Sequence, residues 1–178
     1  MTPDELKALV RTVPDFPAKG IQFRDITTLL AHGEGLAGSV AALADIARSL
    51  EVDAVAGIEA RGFIFGTALA LELGCGFIPL RKAGKLPVET IGEDYALEYG
   101  TARLECDPAI VKDGAHVLVV DDLLATGGTA LAGANLLRRA GAQVEHALFV
   151  IDLPELGGGD ALSGAGVTAH AVMDFSGH

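Results

Sequence analysis

The chain has no tryptophan, two tyrosines and two cysteines in 178 residues. Cys75 and Cys106 lie far apart and in no metal-ligand spacing. They support neither a disulfide framework nor a zinc site, and are expected to be reduced packing residues in a cytoplasmic protein. Basic charge is also scarce: 13 Lys and Arg stand against 24 Asp and Glu, a net charge of −11. A nucleic-acid surface needs a basic face, so no nucleic-acid partner is expected. No apolar run approaches the roughly 18 residues of a membrane span. The N-terminus, MTPDELKALV, lacks the basic-then-apolar layout of a secretory signal. No membrane partner is expected either.

What is present is an apolar half of the composition, enough for one domain with a full core and a small appendage. The chain is organised around Val117 to Thr129, VLVVDDLLATGGT. Four apolar β-formers run into two adjacent carboxylates, a Gly-rich turn and a helix-like run. A continuous apolar run reads as a strand buried on both faces, as in a parallel sheet. Ligands of such sheets bind beyond the carboxyl ends of the strands, and Asp121 and Asp122 are expected at that edge. Gly127 and Gly128 allow a tight turn and close approach of backbone to ligand. The amides opening the following helix have no intrahelical partner and form an anion site, to which Thr126 and Thr129 add hydroxyls.

Around this stretch, Thr2, Pro3 and Glu5 give a capped helix start, with an end expected near Arg11. Val13 to Gly20 reads as irregular. Gly35 to Leu50 has helical spacing, Ala54 to Ile58 reads as a strand, and Phe63 to Leu73 as a helix ended by Gly74. Phe77 to Leu80, His116 to Val120, Val144 to Leu153 and Val167 to Met173 read as strands, and Gly128 to Arg139 as a helix. Lys82 to Gly100 is a long segment in which Val88 to Ile91 could pair with Leu97 to Leu104. Gly157 to Gly159 reads as a surface turn. Strand and helix alternate through the middle, so the class is α/β with a mostly parallel central sheet flanked by helices. Residues 1–30 stand outside the alternation as a small N-terminal hood over the sheet's edge. Residues 31–178 form the core, with 82–100 as a mobile flap.

Three phosphate-loop readings compete. Gly33 to Gly38 is literally GxGxxG, but no buried strand precedes it, so it fails the context of a dinucleotide site and reads as a flexible start to a helix. No GxxxxGK[ST] string exists. The third reading is the central stretch, where strand, turn and helix are all in place. Two carboxylates beside a phosphate must face hydroxyl donors or a cation. A ribose offers vicinal hydroxyls, which suit acceptor-only carboxylates. The bland alternative is a solvated strand end. The basic cluster Arg81, Lys82 and Lys85 reads as a solvated loop or an anion site. The five histidines read as structural or solvated.

The string from Val119 to Thr129 resembles the phosphoribosyl pyrophosphate signature of the type I phosphoribosyltransferases. Phe16-Pro17, Phe23 to Ile26, Glu59 to Phe63, Arg81 to Pro87 and Leu97 to Gly100 resemble the adenine-specific branch, in the same order, over roughly Pro14 to Leu153. The resemblance implies transfer of ribose 5-phosphate from phosphoribosyl pyrophosphate to adenine, giving AMP and pyrophosphate. It implies a homodimer, and Mg²⁺ carried by the substrate with no direct protein ligand needed. Ala125, Thr126, Gly127, Gly128 and Thr129 hold the 5′-phosphate on this reading, and Asp121 and Asp122 the ribose hydroxyls. Pyrophosphate meets Glu59, Ala60, Arg61 and Gly62, a turn that in the family often holds a non-proline cis peptide. Arg81, Lys82 and Lys85 add positive charge, from the same or a neighbouring subunit. Phe23 stacks on adenine, the backbone of Gln22 reads its amino edge, and Arg24 aligns it. Phe23 as core and Arg24-Asp25 as a surface ion pair are the bland alternatives. Gln22 departs from the aliphatic residue frequent at that position. Glu98, Arg61 and Lys82 are the expected catalytic groups, Glu98 sharing a proton with the purine. The remaining alternatives are a transferase for another purine and a phosphoribosyl pyrophosphate-binding regulator.

Overall fold

The computed structural model describes residues 1–97 and 100–177. A seven-stranded sheet carries the fold, built from β3 (Ala54–Ile58), β4 (Gly76–Lys82), β5 (Ile91–Leu97), β6 (Gly100–Cys106), β7 (Val117–Leu124), β8 (His146–Asp152) and β9 (Thr168–Asp174). Its order is β5-β6-β4-β3-β7-β8-β9. The stretch from β4 to β9 is parallel, and β6 and β5 extend it as an antiparallel edge. Helices α3 (Gly33–Ala47), α4 (Arg61–Leu73), α5 (Gly128–Arg139) and α6 (Gly158–Gly164) pack on this sheet. The mostly parallel α/β reading is borne out, as is the burial of both faces of β7. Val117 and Val119 join one core with Leu104, Leu137 and Phe149. Leu118 and Val120 join the other with Leu43, Phe65 and Leu148. Each large side chain buried in this way contributes about 1.5–3 kcal/mol.

The N-terminal segment forms α1 (Pro3–Ala8), β1 (Arg11–Pro14), β2 (Gln22–Asp25) and α2 (Thr27–Ala31). The capping box at Thr2 and Glu5 is present. This helix stops at Ala8 rather than near Arg11, because Arg11 opens β1 and reaches across the hairpin to the Asp25 carboxylate. β1 and β2 pair antiparallel as a separate two-stranded sheet, so the expected irregular Val13 to Gly20 is strand in its first residues. The GxGxxG string starts α3 after a helix, not a strand. Its glycines serve packing: a Cβ on Gly35 would stand 2.6 Å from Leu9, and one on Gly38 3.2 Å from Leu6.

The segment after β4 differs from expectation. Ile91–Leu97 pairs with Gly100–Cys106, in place of a hairpin using Val88 to Ile91. Glu93 and Asp94 are poor β-formers by propensity. The fold supplies each with a cation: Arg139 Nη1 lies 2.7 Å from Glu93 Oε2, and Arg103 Nη1 2.9 Å from Asp94 Oδ1. Gly157 to Gly159 is not a surface turn either. Gly158 is buried and opens α6. Both cysteines are free thiols, Cys106 buried, and burial pushes its thiol up to about 11. No described helix is long and apolar enough to cross a membrane.

Strands β8 and β9 bring together two histidines that sequence spacing left unrelated. His146 Nδ1 lies 3.2 Å from His170 Nε2. Burial, and then the neighbouring His146, hold His170 below its ordinary 6.5. Below pH 6.5 the unfolded chain takes up a proton that folded His170 resists. Stability therefore falls with pH there, and the loss stops deepening below the folded value. Thermal melts between pH 7 and 5 should show a shallower decline for His170→Gln than for the parent; superimposable curves would refute this.

Candidate active site

The site grows from β7. Its pairing with β3 ends at Val120, opposite Gly57, while its pairing with β8 continues to Leu124, opposite Asp152. Asp121 and Asp122 therefore lie inside the strand, not at its carboxyl edge as expected. They stand where one neighbouring strand has stopped and the other persists. Asp122 is 4% exposed. A carboxylate so placed needs a partner, since burying an unpaired charge is costly. Arg61 Nε meets Asp122 Oδ2 at 2.5 Å. Asp121 Oδ1 accepts from the Asp122 N–H at 2.9 Å. Burial, and then the Asp122 charge, push the Asp121 carboxyl well above its ordinary range.

Arg61 opens α4 after a Glu59–Ala60 peptide that is cis, as the resemblance implies. Gly62 follows because there is no room for a side chain. A Cβ there would stand 2.7 Å from Val120 O and 3.0 Å from Asp121 Oδ1. The Glu59 carboxylate accepts from Arg81 Nε at 2.9 Å and from the Lys82 N–H at 2.8 Å. Burial pushes that carboxyl up, but these bonds outweigh it and hold it below its ordinary value. Arg81, expected to add positive charge for pyrophosphate, is ion-paired with Glu59 within the fold.

After β7 the chain turns through Ala125 and Thr126 to Gly127, at φ +83°, and α5 begins at Gly128 with no side chain capping it. Its first amides are left for a ligand, and the helix dipole favours an anion there. A cavity of about 180 Å³ is lined by Arg61, Asp121, Asp122 and the turn from Ala125 to Thr129. Gly158 supports that turn from behind. A Cβ on Gly158 would stand 2.7 Å from Leu124 Cδ1 and closer still to Ala125 O, and one on Gly127 2.9 Å from Gly158 O.

A larger cavity of about 710 Å³ adjoins. One wall is Ile21, Gln22, Phe23 and Arg24 of the N-terminal hairpin; the other is Ala125, Thr126, Gly128 and Thr129. Arg61, Ala96, Leu123, Leu153 and Leu156 complete it. Phe23 is braced edge-on by Phe16, with ring centroids 5.1 Å apart. Arg24 does not pair with Asp25, whose partners are Arg11 and Thr27. The fold thus joins the expected base and phosphate residues around one cavity, and places the expected ribose carboxylates in the smaller cavity that adjoins it. Glu59, Ala60, Gly62, Arg81, Lys82 and Lys85 line neither cavity. Glu98 lies outside the described residues. Sequence reasoning missed Ala96, Leu123, Leu153, Leu156 and Gly158. None left a signal in sequence: Leu123 is half-exposed between buried Asp122 and Leu124 only once the strand has formed.

Comparison with known proteins agrees with this geometry. The phosphoribosyl transferase domain family matches residues 25–158. The adenine phosphoribosyltransferase of Novosphingobium aromaticivorans is 67% identical over 178 residues, covering 100% of both chains. The crystal structure of adenine phosphoribosyltransferase from Thermoanaerobacter pseudethanolicus matches with a TM-score of 0.93 at 44% identity, over 98% of this chain and 100% of that one. The Saccharomyces cerevisiae enzyme, complexed with an imino-altritol bisphosphate and adenine, matches with a TM-score of 0.88 at 34% identity, over 96% and 97%.

The raised Asp121 carboxyl has a cost in the free protein. Above the ordinary value of 3.8 the unfolded chain ionises this group while the fold resists, so stability is lost as pH rises until the folded value is passed. Asp121→Asn keeps the acceptor for the Asp122 N–H and removes the charge. Its Tm should exceed the parent's at pH 7, and the gain should vanish toward pH 3.8. A lower Tm at pH 7 would contradict the burial argument.

Proposed function

The chain belongs to the adenine phosphoribosyltransferases, and from that premise we propose how its residues divide the reaction. The enzyme transfers ribose 5-phosphate from phosphoribosyl pyrophosphate to adenine, giving AMP and pyrophosphate. The observation that carries the division of labour is the shared cavity, with the β2 wall facing the turn that opens α5. The 5′-phosphate sits on the amides of Ala125 to Thr129 and the hydroxyls of Thr126 and Thr129. Each hydrogen bond to a charged group contributes roughly 1.5–3 kcal/mol, so a few fix the sugar. The ribose hydroxyls donate to Asp121 and Asp122. Arg61 neutralises Asp122 in the free site, and turns toward pyrophosphate when the hydroxyls replace it. Adenine stacks on Phe23, with the backbone of Gln22 at its amino edge and Arg24 aligning β2.

The reaction is substitution at the anomeric carbon through an oxocarbenium-like transition state. Negative charge grows on pyrophosphate and is matched by Arg61, with Arg81, Lys82 and Lys85 as longer-range cations. The donors bordering the ribose are carboxylate oxygens with no Cys or His among them, which suits a hard cation such as Mg²⁺. Mg²⁺ arriving on the substrate supplies further charge neutralisation of the leaving group. The hood of residues 1–30 covers the base, and the flap of residues 82–100 closes over the sugar to exclude water. Ala96, on that flap and in the cavity wall, supports this. We place the enzyme in the cytoplasm as a homodimer. Ile64 and Leu71, two turns apart and exposed on α4, offer an apolar face for the second copy.

Incubation of the protein with phosphoribosyl pyrophosphate, Mg²⁺ and each purine base should yield AMP from adenine and little product from hypoxanthine or guanine. Preference for an oxo-purine would move the enzyme to another branch. Product from no base, together with DNA retardation, would favour the regulator reading. Glu98 is assigned a proton-sharing role at the purine's imidazole nitrogen. Glu98→Gln should lower kcat by about a hundredfold or more while leaving phosphoribosyl pyrophosphate affinity nearly unchanged. Parental kcat would remove Glu98 from the mechanism.

A further inference from the structure

The C-terminal residues carry no motif, yet they reach the hairpin that lines the larger cavity. Phe175 is 8% exposed, and its N–H donates to Asp152 O at 2.9 Å, which ties it to the end of β8. The Arg24 guanidinium lies over its ring, 4.7 Å from the centroid. Lys7 Nζ lies 4.8 Å from the same centroid, so α1 and β2 both bring a cation to one aromatic face system. Arg24 Nη2 donates to Ser176 O at 2.9 Å, and Nη1 to Thr12 Oγ1 at 2.6 Å. Its Nε is buried without a hydrogen-bond partner among the described residues. The guanidinium is thus held by the C-terminal segment and β1.

The core holds the hairpin at its ends, through buried Val10 before β1 and Ile26 after β2, while β2 itself is only half-buried. It pairs with β1 in a two-stranded sheet separate from the main one, and an isolated two-stranded ribbon is marginal in water. Its distance from the turn that opens α5 therefore depends on tethers to the core. We propose that Phe175 and Ser176 are positioning residues for the base: a strap that acts through Arg24 to set the width of the cavity between β2 and α5. The proposal rests on the assignment of β2 to adenine. It adds that the adenine affinity of the enzyme is set partly from the far end of the chain.

The test compares KM for adenine and for phosphoribosyl pyrophosphate in two variants. Phe175→Leu keeps an apolar filler and loses the ring face; Thr12→Val removes the other anchor at an exposed position. A cation–π contact or a hydrogen bond to a charged group corresponds to about a fivefold to tenfold change in an equilibrium constant. KM for adenine should rise by that factor in each variant, with KM for phosphoribosyl pyrophosphate unchanged and Phe175→Tyr behaving as the parent. Unchanged adenine KM in folded variants overturns the strap. So does a rise in both KM values that follows a fall in Tm, which marks a general structural role. Should Phe175→Leu not fold, Phe175→Met, a flexible apolar filler without a ring face, decides in its place. The parent's turnover of adenine is measured first; its absence defeats the assignment of β2 to the base rather than the strap itself.

Discussion

A carboxylate that is almost wholly buried at the end of a buried strand is the constraint on which the site depends. Asp122 tolerates that position because Arg61 meets it. Arg61 can do so only if α4 starts close against β7, and that approach requires a residue without a side chain at Gly62. The turn before it must then reverse the chain within two residues of the end of β3. The ion pair, the glycine and the short β3 are one solution to a single problem: holding two carboxylates at the end of a buried strand, beside the uncapped start of a helix.

The same arrangement explains how a chain of net charge −11 handles highly anionic substrates. Its field at long range is repulsive, so attraction must be local. The local positive potential on offer is that of the uncapped amides of α5 and of Arg61, which border the same cavities. Arg81 is partly neutralised by Glu59. Positive charge here is concentrated by the fold rather than by composition.

Much of this was legible in the sequence because it depends on local chemistry. β3 spans Ala54–Ile58 and α5 spans Gly128–Arg139, as their apolar runs and glycine punctuation indicate. The Gly74 stop on α4 and the capping box of α1 follow from single residues. What escaped depends on partners distant in the chain. β5 looks too acidic to be a strand until Arg103 and Arg139 arrive beside it. The register of β7 past Val120 is set by β8, so the acid pair could not be placed inside the strand from its own residues. Gly158 reads as a flexible turn until Ala125 is seen packed against it. Arg24 looks like half of an ion pair with Asp25, yet its partners are Thr12 and the C-terminal segment.

The joint between Gly127 and Gly158 has a thermodynamic consequence. Two backbones meet there with no side chain on either, so no rotamers remain to be frozen when a ligand arrives. Ordering a flexible side chain at a binding surface costs about 0.5–1.5 kcal/mol, and main-chain donors avoid that loss of entropy. The turn from Gly127 is therefore shaped by the fold itself rather than by a ligand.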